Sequence, residues 1–189
     1  MHFSGGPPAT LRGAVSTPAR GLFRARIDDR NDVIHYELRY ADLTGPITQA
    51  HVHFGQRHTV GGIVVWLCQT PGTPAPDAVA ALTPFCPGPT EGTVTGTLTP
   101  AQVLEVTGQG VAAMEFEELV EAIRAGTTYA NVHSATFPPG EIRGQIDSGP
   151  GAPALRWRAR VALGPQPQLK TARSLPPRKN RTAWARCGS

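Results

Sequence analysis

Residues 49–68, QAHVHFGQRHTVGGIVVWLC, carry His51, His53 and His58 within eight positions and then run into an apolar stretch. Neutral imidazole is the commonest side-chain metal ligand, and its ordinary pKa places its charge change near neutrality. The chemistry on offer is therefore metal ligation, proton transfer or plain polar surface. Residues two apart on a strand project to one face, about 6.6 to 6.8 Å apart along the chain. His51 and His53 can thus reach one ion if a third ligand arrives from another strand. His133 in TYANVHS is that candidate, since it lies on the face opposite Ala130 and Val132. His58, in what reads as a turn after Gly55, is the candidate fourth ligand. An all-imidazole set suits copper or zinc better than magnesium or calcium, which take oxygen. The plain alternative is a set of solvated surface histidines. Nucleophilic catalysis has little support: there is no nucleophile elbow, and Ser134 beside His133 points to the opposite face. No catalytic or cofactor-binding residue is assigned.

The elements that would position these side chains come from period-two alternation, the mark of strands with one buried and one wet face. In GLFRARID, Phe23, Ala25 and Ile27 share one face and Arg24 and Arg26 the other. In VIHYELRYADL, Ile34, Tyr36, Leu38 and Tyr40 point inward, with His35, Glu37 and Arg39 outward. ITQAHVHFG puts Ala50, Val52 and Phe54 inside and Gln49, His51 and His53 on the wet side. GGIVVWLC is apolar on both faces, as for a central strand or one covered by a loop. GTVTGTLT turns Val94 and Leu98 inward, and TYANVHS sets Ala130 and Val132 against Tyr129, Asn131 and His133. GEIRGQID sets Ile142 and Ile146 against Glu141, Arg143 and Gln145. In MEFEELVEAIRAG, Phe116, Leu119, Val120 and Ile123 recur at helical spacing, acids crowd the first turns and Gly126 supplies a left-handed stop. One short α-helix is expected near residues 115–125. Thr99 and Pro100 read as the cap and first position of a shorter turn. Seven or so short strands separated by turn signals indicate an all-β antiparallel sandwich or barrel.

The 189 residues suit one domain of ordinary size plus a tail. Charge divides unevenly. Residues 1–149 hold all 14 acidic residues against nine of the 18 Lys and Arg, a balance of −5, and residues 150–189 hold the other nine basic residues with no acid. The tail, 148–189, is rich in Pro and Arg without apolar periodicity and reads as a disordered extension. Its cations offer weak attraction to nucleic acid, anionic lipid or an acidic partner. A basic count carries no geometry, so nucleic-acid binding ranks last.

No stretch approaches the roughly 20 apolar residues of a membrane helix, and MHFSGGPPATLRGAV shows no visible signal peptide. Cysteine usage pulls the other way. Cys68 and Cys86 flank 17 residues; a disulfide closing that loop would be worth about 3 kcal/mol in the chain-entropy model and would imply an oxidising compartment. Two unpaired thiols are the alternative. Cys187 is expected to be a free thiol.

In order along the chain, STPARGLFRARIDDRNDVIHYELRYADLTGPITQAHVHFGQ, GGIVVWLC, GTVTGTLTPAQV and YANVHSATFPPGEIRGQI resemble the CHRD (chordin) domain family. The resemblance spans residues 16–147, leaving 1–15 poorly matched and 148–189 outside it. It implies a Greek-key β-sandwich, immunoglobulin-like or superoxide-dismutase-like, in a secreted or cell-envelope setting. The single bacterial domains that the chain resembles have no settled activity, and a fold-level match does not transfer partner binding; the leading expectation is a non-enzymatic module that binds an unidentified macromolecular or surface partner and can carry an ion on His51, His53 and His133. A fainter likeness joins HVHFG, NVH and GEIRGQI to the layout of copper-zinc superoxide dismutase, in which His51, His53 and His133 would match three copper ligands. No histidine-rich loop ending in aspartate matches the zinc site, and no bridging histidine is present unless His58 serves. That likeness implies the alternative function, a copper-binding redox protein or carrier. Arg143 would then steer an anion; an exposed structural arginine is the plainer reading.

Overall fold

The computed structural model describes residues 15–146, together with the backbone of a strand at 155–159. Its strands are β1 (Arg20–Asp28), β2 (Val33–Ala41), β3 (Ile47–Phe54), β4 (Gly62–Cys68), β5 (Gly92–Leu98), β6 (Thr128–Ser134), β7 (Ile142–Gln145) and β8 (Leu155–Ala159). They form two four-stranded sheets, β5-β2-β1-β8 and β4-β3-β6-β7, and the strand pairs are antiparallel. The chain crosses between sheets from β2 to β3 and again from β5 to β6, while β2 pairs with β5 and β3 with β6. That interlocked double crossing makes the molecule a Greek-key sandwich of the immunoglobulin-like type.

In the first sheet, alternation does what the sequence suggests. Phe23, Ala25, Ile34, Tyr36, Leu38, Tyr40, Val94 and Leu98 are buried, and His35 is exposed. They face Val52, Val64, Leu67, Ala130 and Val132 of the second sheet in one continuous core. Tyr36 spans the two layers, its hydroxyl donating to the Leu67 carbonyl at 2.7 Å. Gly96 makes room for that ring, because a Cβ there would meet it at 2.6 Å.

Two helices lie outside the sheets, α1 (Asp77–Ala80) and α2 (Phe116–Arg124). In α2, Phe116, Leu119, Val120, Ala122 and Ile123 are buried, and Gly126 follows at φ +68°. Thr99 and Gln102 form a reciprocal capping box on the short turn 100–102. None of the described helices is long and apolar enough to cross a membrane.

Two readings of the sequence need correction. β8 lies within the segment expected to be a disordered tail: its backbone pairs with β1 from Gly21↔Ala159 to Ala25↔Leu155. The signal was present in the sequence: Leu155, Trp157, Ala159, Val161 and Leu163 alternate with Arg156, Arg158, Arg160 and Ala162, a period-two run that the Pro- and Arg-rich composition of the tail masked. The rest of the tail and Cys187 lie outside the described residues. Second, the outer face of β3, β6 and β7 is largely covered, with Arg143 left exposed. Every residue of β6 is buried, and so are Glu141 and Gln145, which alternation placed outside.

Candidate metal centre

The β3–β6 register sets Gln49, His51 and His53 opposite His133, Asn131 and Tyr129. Ring centroids lie 4.5 Å apart for His51 and His133, 4.9 Å for His51 and His53, and 6.5 Å for His53 and His133. One ring nitrogen from each of the three falls within 4.8 Å of the others. The side of the sheet is the expected one, opposite Ala50 and Val52, but its environment is not. His51 is 1% exposed, His53 8% and His133 6%.

The cover has identifiable origins. The β3–β4 pairing shifts register on both sides of the His51–Val52 pair, and such bulges re-aim side chains. Val64, Val65, Leu67 and Cys68 thereby join the main core, while Ile63 and Trp66 turn to the outer face. Trp66 sits edge-on to His51 at 5.0 Å, and Ala75 and Val79 pack on Trp66 from the segment between Cys68 and Cys86. Those cysteines stand at disulfide distance, with Cα atoms 5.0 Å apart. On the other flank Tyr129 stacks on His53 at 4.6 Å and 5°.

Two backbone carbonyls fix the ring protons. His53 Nδ1 donates to the Gly61 carbonyl at 2.8 Å, and His133 Nδ1 donates to the Pro138 carbonyl at 2.7 Å. A carbonyl only accepts, so in each neutral ring Nε2 is left with its lone pair. His51 Nδ1 lies 3.0 Å from His53 Nε2 and is the donor of that pair. His51 Nε2 is then a buried acceptor with no partner. His133 Nε2 accepts from the Asn131 amide at 2.9 Å.

Burial pushes the His51 pKa down to about 2, aided by the charges His133 and His53 would carry. Burial also lowers that of His133, against the raising effect of its bond to Pro138. Near neutral pH both rings are uncharged, the form in which imidazole binds metal. A base with a pKa far below neutrality abstracts protons poorly, so proton transfer through His51 fits this geometry badly.

His58 stands apart. It is exposed in a turn at φ +63° and is not among the three converging rings. Arg143 is exposed, with its guanidinium 3.7 Å from the Tyr129 ring centre and donating to the Thr59 carbonyl at 2.9 Å. It holds a stack of Arg143, Tyr129 and His53 against the 55–61 connection.

Glu141 anchors the neighbouring loop. Its Oε1 accepts from Thr17 Oγ1 at 2.6 Å and from the Thr44 amide and hydroxyl, both at 2.9 Å. Burial pushes this carboxyl up, but hydrogen bonds from Ser134, Thr17 and Thr44 outweigh it and hold it below the usual carboxylate range.

Sequence reasoning missed Asn131, Trp66 and the two carbonyls as parts of this site. Alternation already put Asn131 on the face of His133, so it could have been found. Bulges hide Trp66, and a backbone carbonyl leaves no trace in side-chain pattern.

A family model, the CHRD domain, matches residues 8–146, beginning ahead of the expected residue 16. No curated protein and no solved structure matches the chain.

Proposed function

We propose, from the premise that this chain belongs to the CHRD domain family, that it is a non-enzymatic β-sandwich binding module of secreted or cell-envelope type. In this reading it carries one copper or zinc ion on His51, His53 and His133. The family's extracellular character and the Cys68–Cys86 pair support the setting. The observation that carries the metal reading is the fixing of tautomers. Metal-binding histidines commonly donate their second N–H to a carbonyl or carboxylate, which orients the ring. His53 and His133 both do so, leaving their other nitrogens toward His51, which has an unpartnered nitrogen of its own. A purely structural cluster would be expected to satisfy that atom.

The test is metal uptake by purified protein. Metal-free chain, exposed to Cu²⁺ or Zn²⁺ and then dialysed, is expected to retain one equivalent, and His51→Ala and His133→Ala to retain none while keeping wild-type circular dichroism. Retention that is the same in wild type and both variants would overturn the assignment. Superoxide consumption by the copper-loaded wild type would move the reading to the redox alternative.

A further inference from the structure

Resting on the metal reading above, we propose that Asn131 is the fourth donor of the centre, through its carboxamide oxygen. The site then selects divalent zinc or copper over cuprous ion. Asn131 lies on β6 directly opposite His51, is 6% exposed, and has its carboxamide 2.9 Å from His133 Nε2. Pro138 holds the proton of His133 on Nδ1, so Nε2 can only accept. An amide oxygen does not approach such a lone pair to hydrogen-bond distance unless a proton or a cation lies between them. The amide nitrogen therefore faces His133.

A cation taking that lone pair deprives the amide N–H of its acceptor. Half a turn about the terminal torsion, which is soft and roughly two-fold for asparagine, exchanges NH₂ for oxygen with almost no change of shape. One side chain thus serves both states, satisfying His133 when the ion is absent and supplying a donor when it is present.

Gly140 is a second, independent observation. Its φ is +120°, and a Cβ there would come 2.5 Å from Asn131 Oδ1 and 2.7 Å from Nδ2. The backbone approaches the carboxamide so closely that only glycine leaves it space. The oxygen also bears on metal choice. Soft ligands such as thiolate and thioether favour cuprous ion, while imidazole with oxygen suits divalent zinc and copper.

The experiment titrates the full chain as wild type, Asn131→Leu, Asn131→Ala and Asn131→Asp. Each is titrated with Zn²⁺, with Cu²⁺, and anaerobically with Cu⁺ against a chromophoric competitor. Asn131→Leu and Asn131→Ala are expected to weaken both divalent ions about tenfold or more and to leave cuprous binding unchanged. Asn131→Asp is expected to restore or tighten divalent binding. The electron paramagnetic resonance of bound Cu²⁺ should shift in Asn131→Leu while keeping its imidazole nitrogen couplings. Divalent affinity in Asn131→Leu equal to or above wild type, with His51→Ala still retaining no metal, overturns this inference and spares the three-histidine reading. No uptake by wild type overturns both.

Discussion

Acidification from pH 7 to pH 5 should destabilise the metal-free protein through His51. In the unfolded chain this histidine titrates at its ordinary 6.5, whereas burial in the folded state pushes it down to about 2. Between those values the unfolded state binds the extra proton, so stability is greatest above pH 6.5 and is lost as pH falls toward the folded pKa. Over two pH units the linkage relation gives a loss of about 2 kcal/mol from His51 alone. His133, also lowered by burial, adds loss of the same sign. Glu141 and Asp28 add little here, because their unfolded values of 4.5 and 3.8 lie below this window and their folded ones lower still, the latter held down first by its bond from Asn31. For the 132 residues from 15 to 146, unfolding entropy of roughly 2.1 cal/mol/K per residue converts 2 kcal/mol into a Tm drop of about 7 °C. Differential scanning calorimetry in chelator at pH 7, 6 and 5 measures it, with His51→Leu as the paired variant. The variant should lose about 2 kcal/mol less than wild type over the same range. Identical drops in the two proteins, or no drop in wild type, would refute the idea that a dry, neutral imidazole sits at this position.

Zn²⁺ or Cu²⁺ at 100 times its Kd should stabilise wild type by about 2.7 kcal/mol, a Tm rise of about 10 °C by the same conversion; a thermal shift series in which His133→Ala does not respond checks this. Reduction of the Cys68–Cys86 pair should cost about 3 kcal/mol, seen as a lower urea midpoint in the presence of reductant and absent in a Cys68→Ser/Cys86→Ser double variant. Tyr36→Phe should cost about 1 kcal/mol through loss of the bond to Leu67, measured by chemical unfolding at unchanged m-value.

Sheet membership and core residues were legible wherever one face of a strand meets solvent. Phe23, Ile34, Tyr36, Leu38 and Leu98 all follow the period-two rule, and Phe116, Leu119, Val120 and Ile123 follow the helical one. The CHRD family was legible in the motif blocks, and the three histidines were legible as sharing one side of their sheet. What the pattern could not give is the state of that side. Alternation reports which residues point away from the core, not whether loops then cover them. The covers come from segments whose path side-chain pattern does not reveal: Trp66 through bulges, Val79 through the cysteine loop, and the nearby Gly61 and Pro138 through backbone carbonyls. For the same reason Glu141 and Gln145 read as surface residues. Gln145 instead donates to the carbonyls of Gly55 and Gly126. His58 failed differently, since proximity in sequence suggested a ligand where the chain turns the ring outward.

The two sheets give the molecule one tolerant side and one committed side. On the outer surface of β1, β2 and β5, the side chains of Arg24, Arg26, His35, Arg39, Thr93, Thr95 and Thr97 are exposed above an intact core. An immobilisation handle, a fluorophore or a glycan placed there would leave the imidazole pocket undisturbed on the far layer. A biosensor built from this domain should be tethered by that side, with its opposite layer presented to the sample.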